Sequence, residues 1–331
     1  MKKVINNPEL VVEELLEGMV YAYPKYVEKL ENANVLVRKV KKTDKVSLIS
    51  GGGSGHEPSH GGFVGKGMLD GAVAGAVFTS PTPDQVYEAI KAVATDAGVL
   101  LVIKNYTGDV MNFDMAKEMA EMEGIKVESV IVDDDVAVQN STWTIGRRGI
   151  AGTVFVHKIA GAKAETGANL EEVKSAALKV IANVRSMGMA LTPCIVPAAG
   201  KPNFTLAENE MEVGMGIHGE PGTHREELKA ADEIVSHLMG RILEDMPLDE
   251  NNEVAIMING LGATPLMELF IINRKVNKIL EEKGVNVYKT LVGEYMTSIE
   301  MAGFSISILK LDEELKELLD ASADTPAFKQ F

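Results

Sequence analysis

V-S-L-I-S-G-G-G-S-G-H-E-P-S-H, residues 46–60, decides how this chain folds. Val46 to Ser50 reads as a short apolar strand, and Gly51-Gly52-Gly53-Ser54-Gly55 follows at once. Glycines at a strand end leave the backbone dihedrals open and let a ligand approach the main chain closely. A strand running into a glycine-rich turn suggests a phosphate or nucleotide cradle. The stretch is not a P-loop, because no Gly-Lys-Ser/Thr follows at the required spacing. Nor is it the dinucleotide fingerprint: after Gly51 and Gly53, His56 occupies the third glycine's position. From this loop alone, a tight turn and a ligand cradle both stand.

Strand and helix signals alternate on either side. Asn7 and Pro8 open a helix with an apolar stripe of Val11, Val12, Leu15, Leu16 and Met19, and Pro24 interrupts it. Downstream come strands over 72–78, 99–103 and 127–132, and helices over 80–94, 112–123 and 169–186. Continuous apolar strands between helices imply a sheet covered on both faces. The second half repeats the style. Strands are expected over 189–196, 210–217, 253–259, 285–291 and 304–311, and helices over 227–246, from Pro265, and over 312–321. The expectation is an α/β protein of two α/β domains, each with a central sheet flanked by helices. The N-terminal domain, 1–186, carries the glycine loop, and the C-terminal domain spans 187–331.

H-E-P-S-H at 56–60 matches the H-E-x-x-H pattern of zinc hydrolases. That chemistry needs both histidines on one face of a continuous helix. Five residues of the glycine loop precede His56, and Pro58 lies inside the motif, where a helix tolerates proline only in its first turn. A helix starting near Pro58 would leave His56 outside, so the zinc reading is set aside. Lys104-Asn105-Tyr106-Thr107-Gly108-Asp109 directly follows a buried-type strand. Ligand sites in open α/β sheets lie at such carboxyl ends, so Lys104 and Asp109 are candidates for hydroxyl recognition or proton transfer. A solvated turn with Asp109 capping the next helix is the plainer account. His218, among glycines in G-M-G-I-H-G-E-P-G at 214–222, is open to a ligand or satisfied by backbone. Asp133-Asp134-Asp135 and Arg147-Arg148 read as structural, capping or pairing with one another. His157 reads as a helical packing residue and His237 as a helix-surface one.

Composition narrows the function classes. The 331 residues are 46% hydrophobic and 24% charged, as in a soluble globular protein. A formal net charge of −15 argues against nucleic acid and against anionic membrane surfaces as partners. No apolar run is long enough to span a bilayer, and Glu9, Glu13, Glu14 and Glu17 follow the basic start where a signal peptide would be apolar. Cys194, the single cysteine, is consistent with a reducing compartment. The expected location is cytoplasmic.

Five motifs in order carry a resemblance: GGGSGHEPSH at 51–60, FTSPTPDQV at 78–86, KNYTGDVMNFDMA at 104–116, GRRGIAGTVFVHKIAGA at 146–162 and GIHGEPG at 216–222. Along essentially its whole length the chain resembles the K subunit of bacterial dihydroxyacetone kinases, with no departure at the positions that matter for function. The resemblance implies a homodimer that binds dihydroxyacetone. It implies that His218 attacks the ketone carbon and forms a hemiaminal through a ring nitrogen. Gly53, Ser54, Gly55, His56, Lys104 and Asp109 would contact the substrate hydroxyls, with His56 and Asp109 handling protons. A reversible covalent bond would add selectivity, because glycerol has the hydroxyls but no electrophilic carbon. The chain carries neither a Walker A motif nor a protein-kinase signature. Related single-chain kinases append a nucleotide domain, so the resemblance points to the three-subunit form. There, no cofactor is expected in this chain. ADP and Mg sit on a partner L subunit, recharged by an M subunit of the phosphotransferase system. The alternative is a non-catalytic paralogue that binds dihydroxyacetone and signals to a transcription regulator.

Overall fold

The computed structural model describes residues 2–139 and 145–331. Helix α1 (Val11–Ala22) precedes β1 (Val27–Lys29), β2 (Val35–Arg38), β3 (Ser47–Ser54) and β4 (Gly71–Val77). Then come α2 (Pro83–Val93), β5 (Val99–Lys104), α3 (Thr107–Met122), β6 (Val127–Val132), α4 (Thr153–Glu165) and α5 (Leu170–Asn183). These strands form a six-stranded sheet in the order β1-β2-β4-β3-β5-β6. Its centre is parallel: β3 pairs with β4 and β5, and β5 with β6. The antiparallel β2 and β1 close one edge.

Alternate residues of the central strands feed opposite cores. Ile49, Leu101 and Ile103 pack with Val86, Ile90 and Phe113 of α2 and α3. Leu48, Leu100 and Val102 pack with Phe155, Ile159 and Val180 of α4 and α5. Both faces are covered, so the strands read as unbroken apolar runs. Each such side chain contributes about 1.5–3 kcal/mol by leaving water.

The chain crosses to the second sheet through β7 (Val184–Ala190), followed by β8 (Glu210–Val213), β9 (His224–Glu227), α6 (Ala231–Asp245), β10 (Glu253–Gly260), α7 (Leu266–Glu282), β11 (Asn286–Gly293), β12 (Gly303–Leu311) and α8 (Glu313–Asp320). The strand order is β11-β10-β12-β7-β8-β9, and a short hairpin of β13 (Ala323–Asp324) and β14 (Lys329–Gln330) ends the chain. Only β10 and β11 run parallel; the other pairs are antiparallel. Val254, Ile256, Ile258, Ile306 and Ile308 meet Val235, Leu238, Leu269 and Val276 of α6 and α7. On the opposite face, Ala255, Met257 and Leu309 join the core of α4 and α5, together with Leu315, Leu318 and Leu319 of α8. One helical layer therefore serves both sheets. No helix among the described residues is long and apolar enough to cross a membrane.

Of the boundaries that differ from the sequence reading, four have a local reason. β3 does not stop at Ser50 but runs through the glycines to Ser54. The strand expected over 189–196 lies instead at Val184–Ala190, where it pairs with β12; Pro193 has no N–H to give a ladder beyond. Hence the passage between sheets falls between α5 and β7, ahead of Ser186. β8 ends at Val213 because Gly214, at φ +75°, turns the chain. Glu227, expected to open a helix, instead ends edge strand β9, and α6 begins at Ala231.

Candidate functional site

The glycines of β3 are there for close approach. A Cβ on Gly51 would sit 2.5 Å from the Val73 carbonyl oxygen, and one on Gly53 2.5 Å from the Thr79 nitrogen. Gly52, at φ +146°, would put a Cβ 2.4 Å from Lys104 Nζ. Strand β3 is thus a bare backbone wall against which the end of β5 delivers a lysine. Lys104 is fully buried, and its ammonium donates to the Gly51 carbonyl at 2.8 Å and lies 3.1 Å from His60 Nε2 and 3.4 Å from Asp109 Oδ2. Burial pushes its pKa down, while the Asp109 charge and hydrogen bond oppose that. Asp109 sits in the first turn of α3, a site that favours a carboxylate, and is itself buried.

Past Ser54 the chain turns and places His56 in the interior. His56 Nδ1 lies 2.8 Å from the Thr297 carbonyl. A carbonyl only accepts, so Nδ1 carries the proton and Nε2 keeps its lone pair. That Nε2 is buried and has no hydrogen-bond partner among the described residues. Burial, then the nearby His218 and Lys104, hold the imidazole well below its ordinary pKa, so it is a neutral base. Phe78 stacks on its ring at 5.2 Å, and Phe78 adopts φ +58°, a conformation rare for a bulky residue.

His218 stands on the turn after β8, with ring centroids 4.7 Å from His56, 4.5 Å from Tyr106 and 5.2 Å from Phe78. Its side chain stays 18% exposed, whereas Glu220 beside it is buried. The Glu220 carboxylate accepts the His218 backbone N–H at 2.8 Å and lies 3.4 Å from His218 Nδ1. Burial alone would raise the Glu220 pKa, but the His218 hydrogen bond and the charges of His218 and Arg148 outweigh it and bring it to about 2. An anion at Nδ1 favours the tautomer with the proton there, which leaves the lone pair on Nε2.

What anchors this turn is a buried ion pair from the first half of the chain. The Arg148 guanidinium bonds Asp135 through Nε at 2.8 Å and Nη2 at 2.6 Å, and Nη2 also donates to the Gly214 carbonyl at 2.7 Å. Burial works against its charge, but Asp135 and Glu220 hold it cationic. Asp134 accepts the N–H groups of Ile150 and Gly152, and Arg147 pairs with Asp245 at 2.8 Å. Asp134, Asp135 and Arg148 are structural, as read from the sequence; Arg147 pairs with Asp245 and not with the acidic triplet, and Arg148 additionally fixes the His218 turn.

Gly53, Phe78, Tyr106, Asp109, Asn112 and His218 border one cleft of about 770 Å³. His56 and Lys104 lie just behind its wall, both fully buried. Ser54 is less committed to it: its hydroxyl donates to the Gly75 carbonyl at 2.7 Å, and it borders a small cavity lined also by Leu16 and His60. The Gly55 N–H donates to Glu57 Oε1 at 3.1 Å. Residues 56–60 form turns and not a helix, and His56 and His60 direct their nitrogens to different partners. Sequence reasoning missed Phe78, Tyr106, Glu220 and the support from Arg148. The G-E-P-G context could have marked Glu220, two residues from the histidine; nothing local marks the aromatics.

The chain matches the family described as the Dak1 domain over residues 17–327. It is 53% identical to a dihydroxyacetone-binding subunit, DhaK, of a PTS-dependent dihydroxyacetone kinase from Listeria innocua, over 99% of this chain and 100% of the relative. Identity to the Lactococcus lactis DhaK subunit is 54% over 95% of this chain and 94% of the relative. Among solved structures, the dihydroxyacetone kinase of C. freundii superposes with a TM-score of 0.88 at 37% identity, covering 99% of this chain and 60% of that one. The dihydroxyacetone kinase operon co-activator DhaQ superposes with a TM-score of 0.91 at 35% identity, covering 96% of this chain and 98% of that one. With its glycine strand, buried lysine and glycine-flanked histidine on one cleft, the chain belongs to the Dak1 domain family and matches the K subunits of PTS-dependent dihydroxyacetone kinases end to end.

Proposed function

We propose that this chain is the dihydroxyacetone-binding subunit of a phosphotransferase-system-dependent kinase, holding the triose on His218 while a partner supplies the phosphoryl group. The observation that carries the reading is the pairing of two imidazoles with opposite tasks over one cleft. His218 is partly open and has an anion at Nδ1; His56 is buried and neutral with an unpartnered Nε2. In the first step His218 Nε2 attacks the ketone carbon and the C=O π pair moves to oxygen, which takes a proton from solvent water in the cleft and leaves hydroxide to the bulk. The imidazolium so formed keeps its Nδ1 proton against Glu220. Asp109, with the Gly53 backbone, contacts the hydroxyls, and Lys104 behind it supplies the counter-charge. In the second step a substrate hydroxyl oxygen attacks the phosphoryl group, its proton passes to His56 Nε2, and the bond to ADP breaks. Holding the hydroxyl in place is a main source of rate in such transfers.

The donor is ADP-bound phosphate on an L subunit, with Mg, recharged by an M subunit. Homodimerisation, which the resemblance implies, is supported by exposed apolar side chains on α7, Leu266, Met267 and Phe270. Similarity to the co-activator favours a second reading, a regulator of transcription; the joint presence of His56, Lys104, Asp109 and His218 favours catalysis. Reconstitution with L and M subunits and phosphoenolpyruvate decides. Dihydroxyacetone phosphate should form, and His218→Ala should abolish substrate retention. A chain that binds the triose but supports no turnover with any L and M pair would be the regulator.

A further inference from the structure

The second histidine of H-E-P-S-H, set aside as a zinc ligand, has a place the mechanism above does not use. His60 is buried between Lys104 and His157: its Nε2 lies 3.1 Å from Lys104 Nζ and its Nδ1 3.0 Å from His157 Nε2. His157, on α4, is also fully buried, and its Nδ1 has no partner among the described residues. The charged and titratable groups around Lys104 are therefore Asp109 from α3, His60 and His56 from the turn after β3, and His157 from α4.

Two proton arrangements satisfy the chain. In one, the Lys104 ammonium donates to the His60 Nε2 lone pair, His60 Nδ1–H donates to His157 Nε2, and His157 carries its proton on Nδ1. In the other, a neutral Lys104 amine accepts from His60 Nε2–H, and His60 Nδ1 accepts from His157 Nε2–H. Asp109 Oδ2, 3.4 Å from Nζ, selects the first, because a neutral amine would leave that buried carboxylate without its counter-charge. Passing the charge down the chain would create a buried imidazolium at His157, whose pKa burial and the Lys104 charge push down to about 3. The positive charge therefore stays on lysine.

We propose that His60, with its tautomer set by His157, is a positioning residue: by accepting the third N–H of Lys104 it keeps that ammonium charged beside Asp109, the carboxylate that borders the cleft. An ammonium has three donors, and Gly51, Asp109 and His60 take one each. Remove the imidazole acceptor and one N–H is left buried with nothing to bond, which favours the neutral amine and strips the Asp109 carboxylate at the cleft of its counter-charge, weakening the hold of Asp109 on substrate hydroxyls. This consequence for binding rests on the triose-site reading above; the tautomer assignment does not.

Two experiments separate them. In 15N-histidine NMR of the ligand-less wild-type protein, His60 should be neutral and protonated on Nδ1, and His157 neutral and protonated on Nδ1, from pH 5 to 8. A His60 proton on Nε2, or titration of either ring within that range, would overturn the proposal whatever the chain binds. Titration calorimetry with dihydroxyacetone then compares wild type, His60→Leu and His60→Gln, the glutamine oxygen standing where Nε2 was. Leucine should weaken binding about 10- to 100-fold, the size of one lost charge-assisted hydrogen bond. The loss should deepen as pH rises, and glutamine should restore most of the affinity. Equal losses in both variants with unchanged pH dependence would mean His60 only fills space. Absence of binding by wild type would instead reject the triose reading and leave the NMR result to judge the chain.

Discussion

Replacing Glu220 by glutamine tests how the His218 turn is built. The carboxyl is brought from an ordinary 4.5 to about 2 by His218 and Arg148 against the pull of burial. A shift of that size corresponds to about 3 kcal/mol of preference for the ionised form, on the scale of about 1.4 kcal/mol per pKa unit. The residue is only 4% exposed, so solvent screening takes little from it. The folded-state pKa is depressed, so the stabilisation is fully present above 4.5 and is lost as pH falls through about 2. Glu220→Gln removes the term. The stability gap between wild type and variant should therefore be widest near neutral pH and narrow as pH drops below 4.5. Urea unfolding at several pH values measures this. The amide also changes His218: its NH2 can donate to Nδ1 and drive the proton to Nε2, blocking the nucleophile. A wrong-tautomer substitution of this kind costs about 10⁴-fold in the turnover of a histidine-based active site, and retention of dihydroxyacetone should fall at least about tenfold. A stability gap that does not change with pH, together with unaltered triose retention, would refute the argument.

In the reconstituted system His56→Ala should lower turnover about 10²–10⁴-fold while the triose still binds His218; occupancy lost in proportion to turnover would reject the base role. Because burial lowers the His56 pKa, the acid limb of wild-type kcat/KM should lie below the pH at which an ordinary imidazole protonates, and an acid limb at or above it would contradict the assignment. Gly52→Ala should destabilise the fold by about 1–3 kcal/mol, since alanine is strained at this φ and its Cβ meets Lys104 Nζ; a variant with wild-type stability and triose affinity would disprove the close-approach account. The purified chain alone should neither bind ATP tightly nor hydrolyse it, and micromolar ATP affinity by calorimetry without a partner would sink the subunit reading.

Much of this could be read from the sequence because burial and strand ends leave marks. Val127–Val132 was placed to the residue, and Asn7, read as a cap, accepts the Glu9 N–H through its side chain. Lys104 and Asp109 were legible because the run from Val99 ends in a charge, where α/β sites assemble. The glycine run was misread locally: a strand on which a Cβ would come within 2.5 Å of its neighbours needs glycine as much as a turn does, and composition does not distinguish the two. Arg148 stayed hidden because its bond to Gly214 spans 66 positions, whereas Glu220, two residues from His218, left a local mark that the reading passed over. His60 and His157, 97 positions apart, pair only once the sheet and α4 have packed.

The central claim is that His218 holds the substrate by a covalent bond. A crystal structure of the wild-type chain soaked with dihydroxyacetone tests it directly. The account predicts continuous density from His218 Nε2 to a tetrahedral C2, with His218 Nδ1 against Glu220 and the hydroxyls near Lys104 and Asp109. A planar, non-bonded ketone in the cleft, or a bond through Nδ1, would contradict it.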